Sequence, residues 1–113
     1  MTARNLLIQS PPYLVERSLK TLGKNLRTAR QRRNLTIADV AEKIGTGPRP
    51  IADAERGKPS TSAVVYVALL WAYDLLEPLD DVADPDTDKQ GLALTPARQR
   101  ARRVNKQGLD DDF

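Results

Sequence analysis

The chain contains no cysteine and no histidine, and only 4% of its residues are aromatic. These absences exclude disulfides, zinc fingers, cysteine nucleophiles and Ser-His-Asp triads. The sequence also holds no phosphate-cradling glycine loop, so we expect no enzyme, no metal site and no cofactor. With so few aromatic side chains, we expect the core to be built from leucine, valine, isoleucine and alanine.

Long apolar runs are missing as well. No run approaches the ~18 residues that a membrane span needs, and residues 1–9 lack the pattern of a secretory signal. We therefore expect a cytoplasmic protein with no membrane partner. The length of 113 residues suits one small domain with tails.

The net charge of +3 conceals blocks of a single sign. Residues 16–33 hold seven basic residues against one acid, and residues 98–106 hold five bases and no acid. Residues 74–88 hold seven acids and no base. Two basic blocks in a small chain favour a nucleic-acid partner, although a solvated helix face produces the same pattern.

Apolar periodicity predicts a first long helix over residues 13–33, preceded by an irregular arm over residues 1–12. Gly23 interrupts the pattern and is expected to weaken this helix. The apolar positions, spaced by four, three, four and three residues, form one helical face. They are Val15, Leu19, Leu22, Leu26 and Ala29.

Two short helices are predicted next. Thr36 can cap the second helix, with Asp39 as its acidic partner, and Gly45 ends it. The third runs from Pro48 to about Arg56, where Gly57 and Pro59 stop it.

A fourth helix, capped by Ser60 or Ser62, is predicted to run to about Tyr73. It is apolar nearly all round, which predicts that a second subunit or a partner covers it in addition to the core. We expect a homodimer through its spare face and residues 75–82.

The remaining sequence predicts little regular structure. A short helical turn is expected around residues 78–82, at the end of a domain spanning residues 13–83. Residues 84–113 are expected to form an extended or disordered tail. Two strand candidates, Asn5–Gln9 and Gly91–Leu94, are predicted to pair across subunits.

Three segments carry a family resemblance: Leu26–Arg30, Leu35–Gly45, and Ile51 followed by Glu55–Pro59. Over about residues 20–75 they resemble the Xre/Cro-repressor family of helix-turn-helix regulators. The resemblance implies an all-α, compact Cro/repressor-like domain of four to five helices with flexible N- and C-terminal tails. It also implies an ion pair between Arg30 and Glu55.

The resemblance further implies that the third helix enters the major groove of double-stranded operator DNA while the second crosses the backbone. Arg49 is the main candidate for reading a guanine, and Asp53 can accept from cytosine or repel phosphate. The family often has glutamine where this chain has Ile37. The remaining candidates for DNA contact are Thr36, Thr46, Pro48, Arg32, Arg33 and Lys58.

The C-terminal part resembles the HipB-type antitoxins, which partner HipA-type Ser/Thr kinase toxins. The resemblance lies in Leu75–Leu79, Ala83–Asp86, Gly91–Leu94 and the terminal segment. It implies a dimeric DNA-binding transcriptional autorepressor that binds and neutralises a kinase toxin. The residues expected to contact the toxin are Leu109, Asp110, Asp111, Asp112 and Phe113.

Two alternatives stay open. One is a stand-alone phage-like Xre repressor without a toxin. The other is a helix-turn-helix fold used only as a protein–protein adaptor, which the prolines of the third helix favour because they replace side chains that would read bases.

Overall fold

The computed structural model describes residues 5–96, and all regular secondary structure within that range is helical. This confirms the expected all-α class. The chain divides into two units, Met1–Glu77 and Pro78–Phe113. The elements are α1 (Leu6–Gln9), α2 (Tyr13–Arg32), α3 (Ile37–Ile44), α4 (Pro48–Glu55), α5 (Ala63–Ala72), a 3-10 helix (Glu77–Asp81) and α6 (Lys89–Leu94).

Local signals place the ends of the central helices close to their predicted positions. After α2, Asn34 adopts a positive φ of 54°, a conformation that asparagine tolerates better than most residues. Thr36 and Asp39 then form a capping box, in which each side chain accepts the other residue's backbone N–H at 3.0 and 2.9 Å. α3 therefore starts directly after this turn.

The turn between α3 and α4 depends on Gly45. Its φ of 81° is left-handed, and both its N–H and that of Thr46 donate to the Ala41 carbonyl, at 3.0 and 2.9 Å. Gly47 then caps α4 through its backbone alone, and Pro48 occupies the first helical position. The predicted helix-turn-helix arrangement is present.

The core of the first unit is formed by four helices. Val15 was expected to face it but is exposed. Leu19 and Leu22 are only partly buried against the core. The buried side chains are Leu26, Ala29, Val40, Ala41, Ile51, Ala54, Tyr66, Leu69 and Tyr73. The two buried tyrosines correct the expectation of a core built from leucine, valine, isoleucine and alanine.

α2 and the C-terminal end of α4 approach each other at backbone distance. A methyl group on Gly23 would lie 2.6 Å from the carbonyl oxygens of Ala54 and Glu55, and one on Gly57 would lie 2.6 Å from that of Leu19. Gly57 also has a left-handed φ of 68°. Gly23 therefore does not simply weaken α2, as expected, but permits two backbones to touch.

α5 begins at Ser62, whose hydroxyl accepts the N–H of Val64. Tyr66 and Leu69 point into the core, whereas Val64 and Trp71 are exposed. Within residues 5–96, no helix combines the length and apolarity needed to cross a membrane.

Both strand predictions are wrong. Asn5 and Asp88 each accept the N–H of the residue three positions on, at 3.2 and 2.9 Å, which starts a helical turn instead of a strand. Leu6–Gln9 and Lys89–Leu94 are consequently helical. The prediction of an extended or disordered tail from residue 84 fails at α6, and its remainder from residue 97 lies outside the described range.

We predict that Gly23→Ala lowers the free energy of unfolding by about 3 kcal/mol, because backbone atoms on α4 cannot rotate away from the added methyl group. Gly47→Ala is the matched control. No atom lies within 4 Å of a methyl group there, so only the helix cap changes, at up to about 1 kcal/mol. Urea unfolding followed by circular dichroism measures both, and equal costs would contradict the close approach.

Candidate nucleic-acid interface

The exposed face of α4 is the candidate interface. Ile51 and Ala54 are buried, so the residues on the opposite side of this two-turn helix face solvent. Arg49 and Arg56 stand on that outward side, one at each end of the helix, with Asp53 between them. The arrangement offers two guanidinium groups along one line.

The start of α4 presents few backbone donors. Pro48 and Pro50 occupy the first and third helical positions and carry no N–H. Arg49 supplies the only N–H in that stretch, so anion binding by the helix start is weak. The side chain of Arg49 is exposed and has no hydrogen bond or ion pair within residues 5–96. It is therefore free to contact a partner.

Asp53 is engaged by cations of its own segment. Its carboxylate accepts from Arg56 Nη2 at 2.5 Å, and Lys58 Nζ lies 3.8 Å from its second oxygen. The hydrogen bond from Arg56 and the nearby charges of Lys58 and Arg56 hold the pKa of Asp53 below its ordinary value. Arg56 was not predicted from the sequence as the partner of Asp53, although their spacing of three residues along a helix indicated the pair.

The two threonines lie on either side of α3. Thr36 is exposed, and its hydroxyl accepts the N–H of Asp39. The hydrogen bonds from Thr36 lower the pKa of Asp39. Thr46 is half-buried at the turn before α4. Lys58 follows α4, and its carbonyl accepts from the hydroxyl of Tyr66 at 3.2 Å.

Arg33 has a structural role that the sequence analysis missed. Its guanidinium donates to the carbonyls of Ala29 and Tyr73, each at 2.9 Å, and lies 5.5 Å from the centre of the Tyr73 ring. Lys43 Nζ donates to the carbonyl of Ala72 at 3.3 Å. Two cations thus hold the C-terminal end of α5. Arg32, by contrast, is exposed without such a contact.

The structure contains the ion pair expected between Arg30 and Glu55. Nε and Nη2 of Arg30 donate to the two carboxylate oxygens at 2.7 and 3.0 Å, and Nη1 donates to the Leu35 carbonyl at 2.9 Å. The two side chains are only 12% and 7% exposed. The hydrogen bond to Glu55 raises the pKa of Arg30. This bidentate pair fixes the end of α4 on α2.

The expected toxin contacts, residues 109–113, lie outside the described residues. Within residues 5–96, no group of acidic side chains is arranged to hold a metal ion.

Comparison with known proteins gave one finding. A family model described as a helix-turn-helix domain matches residues 21–83, which is more than half of the chain. No curated protein and no solved structure matches the chain. The matched range contains α3, α4 and α5 together with most of α2.

Proposed function

Because the chain belongs to the helix-turn-helix domain family, we propose that it is a sequence-specific DNA-binding transcriptional autorepressor. The single observation that carries this proposal is the outward face of α4, where two arginines stand opposite the buried Ile51 and Ala54. α4 is the helix that enters the major groove in this type of domain.

The exposed basic residues of α2 also support the proposed DNA binding. The basic residues that α2 exposes to solvent create an electrostatic attraction for any duplex. Only Lys20 among them is paired within α2, with Glu16 at 2.9 Å. The exposed set is Arg17, Lys20, Lys24, Arg27 and Arg32.

We predict that Arg49→Ala weakens binding to the cognate duplex by ~1–3 kcal/mol and reduces the preference for it over a scrambled duplex. Arg32→Ala is the matched control, since Arg32 is also exposed and unpaired. It should weaken both duplexes to a similar extent, as expected of a phosphate contact. Fluorescence anisotropy at fixed salt measures the affinities of the wild type and both variants for the two duplexes. An unchanged preference in Arg49→Ala would exclude Arg49 as a base reader.

The chain is further proposed to act as a symmetric homodimer, since dimers of this fold match two half-sites on DNA. Support comes from the uncovered side of α5 and from Leu75 after the end of that helix. Val64 and Trp71 are 68% and 56% exposed and recur at helical spacing with Val67, and Leu75 is 42% exposed. An apolar stripe of this kind is typical of an interface.

We predict a dimer mass in sedimentation equilibrium at micromolar concentration, and a monomer for Trp71→Arg, because burying an unpaired guanidinium is costly. Leu14→Arg is the control, since Leu14 is similarly exposed but lies on α2, outside the proposed interface. A wild-type monomer at all concentrations would exclude the interface.

We also propose that the chain neutralises a HipA-type Ser/Thr kinase toxin. Support comes from the resemblance of the C-terminal segments to HipB-type antitoxins. The terminal sequence Leu109-Asp110-Asp111-Asp112-Phe113 adds a chemical argument. Its three acids complement the basic surface of a nucleotide-binding cleft, and its aromatic end offers an anchor for an apolar pocket.

We predict that deleting residues 107–113 weakens binding to a purified HipA-type kinase at least tenfold and leaves operator binding unchanged. Calorimetry with the kinase and anisotropy with the duplex measure the two affinities. Equal kinase affinities for the full and shortened chains would remove this contact. Absence of kinase binding would favour the stand-alone repressor, and absence of DNA binding at moderate salt would favour the adaptor.

A further inference from the structure

We propose that Asp53 is a positioning residue that orients Arg56, and that Arg56 reads a guanine in the same half-site as Arg49. This inference rests on the proposed DNA-binding function and deepens it. It assigns a second base-reading residue, and it gives Asp53 a role other than accepting a hydrogen bond from cytosine.

The spacing along α4 places both arginines within reach of one groove. Arg49 and Arg56 are seven residues apart, which is close to two helical turns, so they stand on the same side. At 1.5 Å per residue, their Cα atoms are separated by roughly 10 Å along the axis. That length corresponds to about three base pairs of DNA. Two guanines about three base pairs apart are therefore the expected target.

The side chain of Arg56 is held in one direction despite being exposed. It is 69% exposed, but its Nη2 donates to Asp53, whose side chain is only 15% exposed. Lys58 Nζ approaches the other carboxylate oxygen at 3.8 Å. The backbone N–H of Arg56 also donates to the carbonyls of Ala52 and Asp53, each at 3.2 Å. Part of the guanidinium stays free to donate outward.

The position of a carboxylate on this face needs a physical reason. DNA is a polyanion, so an acid among the cations of a DNA-facing helix lowers affinity for every duplex. An unpaired arginine would serve a phosphate contact better. A planar guanidinium held in one orientation by a neighbouring carboxylate favours bidentate recognition of guanine. Asp53 therefore lowers general affinity and raises discrimination between sequences.

A double-mutant cycle on the full chain tests this inference. A duplex selected from a random pool and a scrambled version of it are bound to the wild type, Asp53→Ala, Arg56→Ala and the double variant. We expect Asp53→Ala to tighten binding to the scrambled duplex and to lower the ratio of the two affinities about tenfold. Arg56→Ala should lower that ratio roughly 5- to 150-fold. The double variant should show the same ratio of affinities as Arg56→Ala alone.

Arg56→Lys is the matched control, because it keeps the charge and removes the planar fork. It should lower the affinity ratio as Arg56→Ala does while preserving the salt dependence. Thermal melting of each variant checks the fold. The selected sequences should contain two guanines about three base pairs apart, one of which loses its preference in Arg56→Ala.

Three outcomes would overturn the inference. If Asp53→Ala lowers the affinity ratio equally in the Arg56→Ala background, Asp53 reads a base itself. If Asp53→Ala tightens both duplexes to the same extent, Asp53 only repels phosphate. If the wild type binds no duplex, the proposed function fails and the inference fails with it. If the wild type prefers the selected duplex but the effects of Asp53→Ala and Arg56→Ala are independent, the proposed function stands and only this inference fails.

Discussion

The contact on which the first unit depends is the one between the backbone of α2 and the C-terminal end of α4. Gly23 and Gly57 leave no room for a side chain there, so the two segments meet at backbone distance. The ion pair of Arg30 and Glu55 fixes the same junction from one side. With this end of α4 immobilised, Ile51 and Ala54 face the core, and the opposite side of the helix is directed outward.

The Arg30–Glu55 pair gains its importance from what else Arg30 contacts. Its third nitrogen donates to the Leu35 carbonyl in the loop before α3, so one guanidinium joins α2, that loop and α4. A buried ion pair adds little net stability compared with apolar packing, because removing both charges from water is costly. Its benefit here is geometric, since it sets the position of α4 relative to α3, and that relation defines how a helix-turn-helix unit meets DNA.

Signals that act within one turn of chain predicted the helices well. The Thr36–Asp39 capping box and the helix end at Gly45 could be predicted because each depends only on neighbouring residues. The strand predictions for Asn5–Gln9 and Gly91–Leu94 were wrong, since so short a segment fits a strand or a helix equally well. The role of Gly23 could not be predicted from the sequence, because it depends on the backbone of α4, which packs against Gly23 only in the folded structure.

The same difference between local signals and contacts distant in sequence applies to the candidate site. Arg49 was identifiable because it is the only long polar side chain at the start of α4. Arg56 was not predicted as a site residue, although it lies one helical turn after Asp53. Arg33 was counted as a free cation because the Tyr73 carbonyl that it contacts lies 40 residues away in sequence. Sequence patterns therefore predicted the helix that we propose to face DNA, while side-chain partners in the structure decide which of its charges are available.

The two prolines of α4 have a consequence for how the protein meets its target. An isolated helix of eight residues is unstable in water, because ordering its first turn costs more entropy than its few hydrogen bonds return. Pro48 and Pro50 fix two φ angles of that turn even in the unfolded chain, which reduces the freedom that is lost on folding. Pro50 also disfavours the helical conformation of Arg49 before it, so tertiary packing must hold that residue in place. Tertiary packing therefore orders the backbone of α4 in the free protein, so the proposed association with DNA would require little further ordering of that backbone.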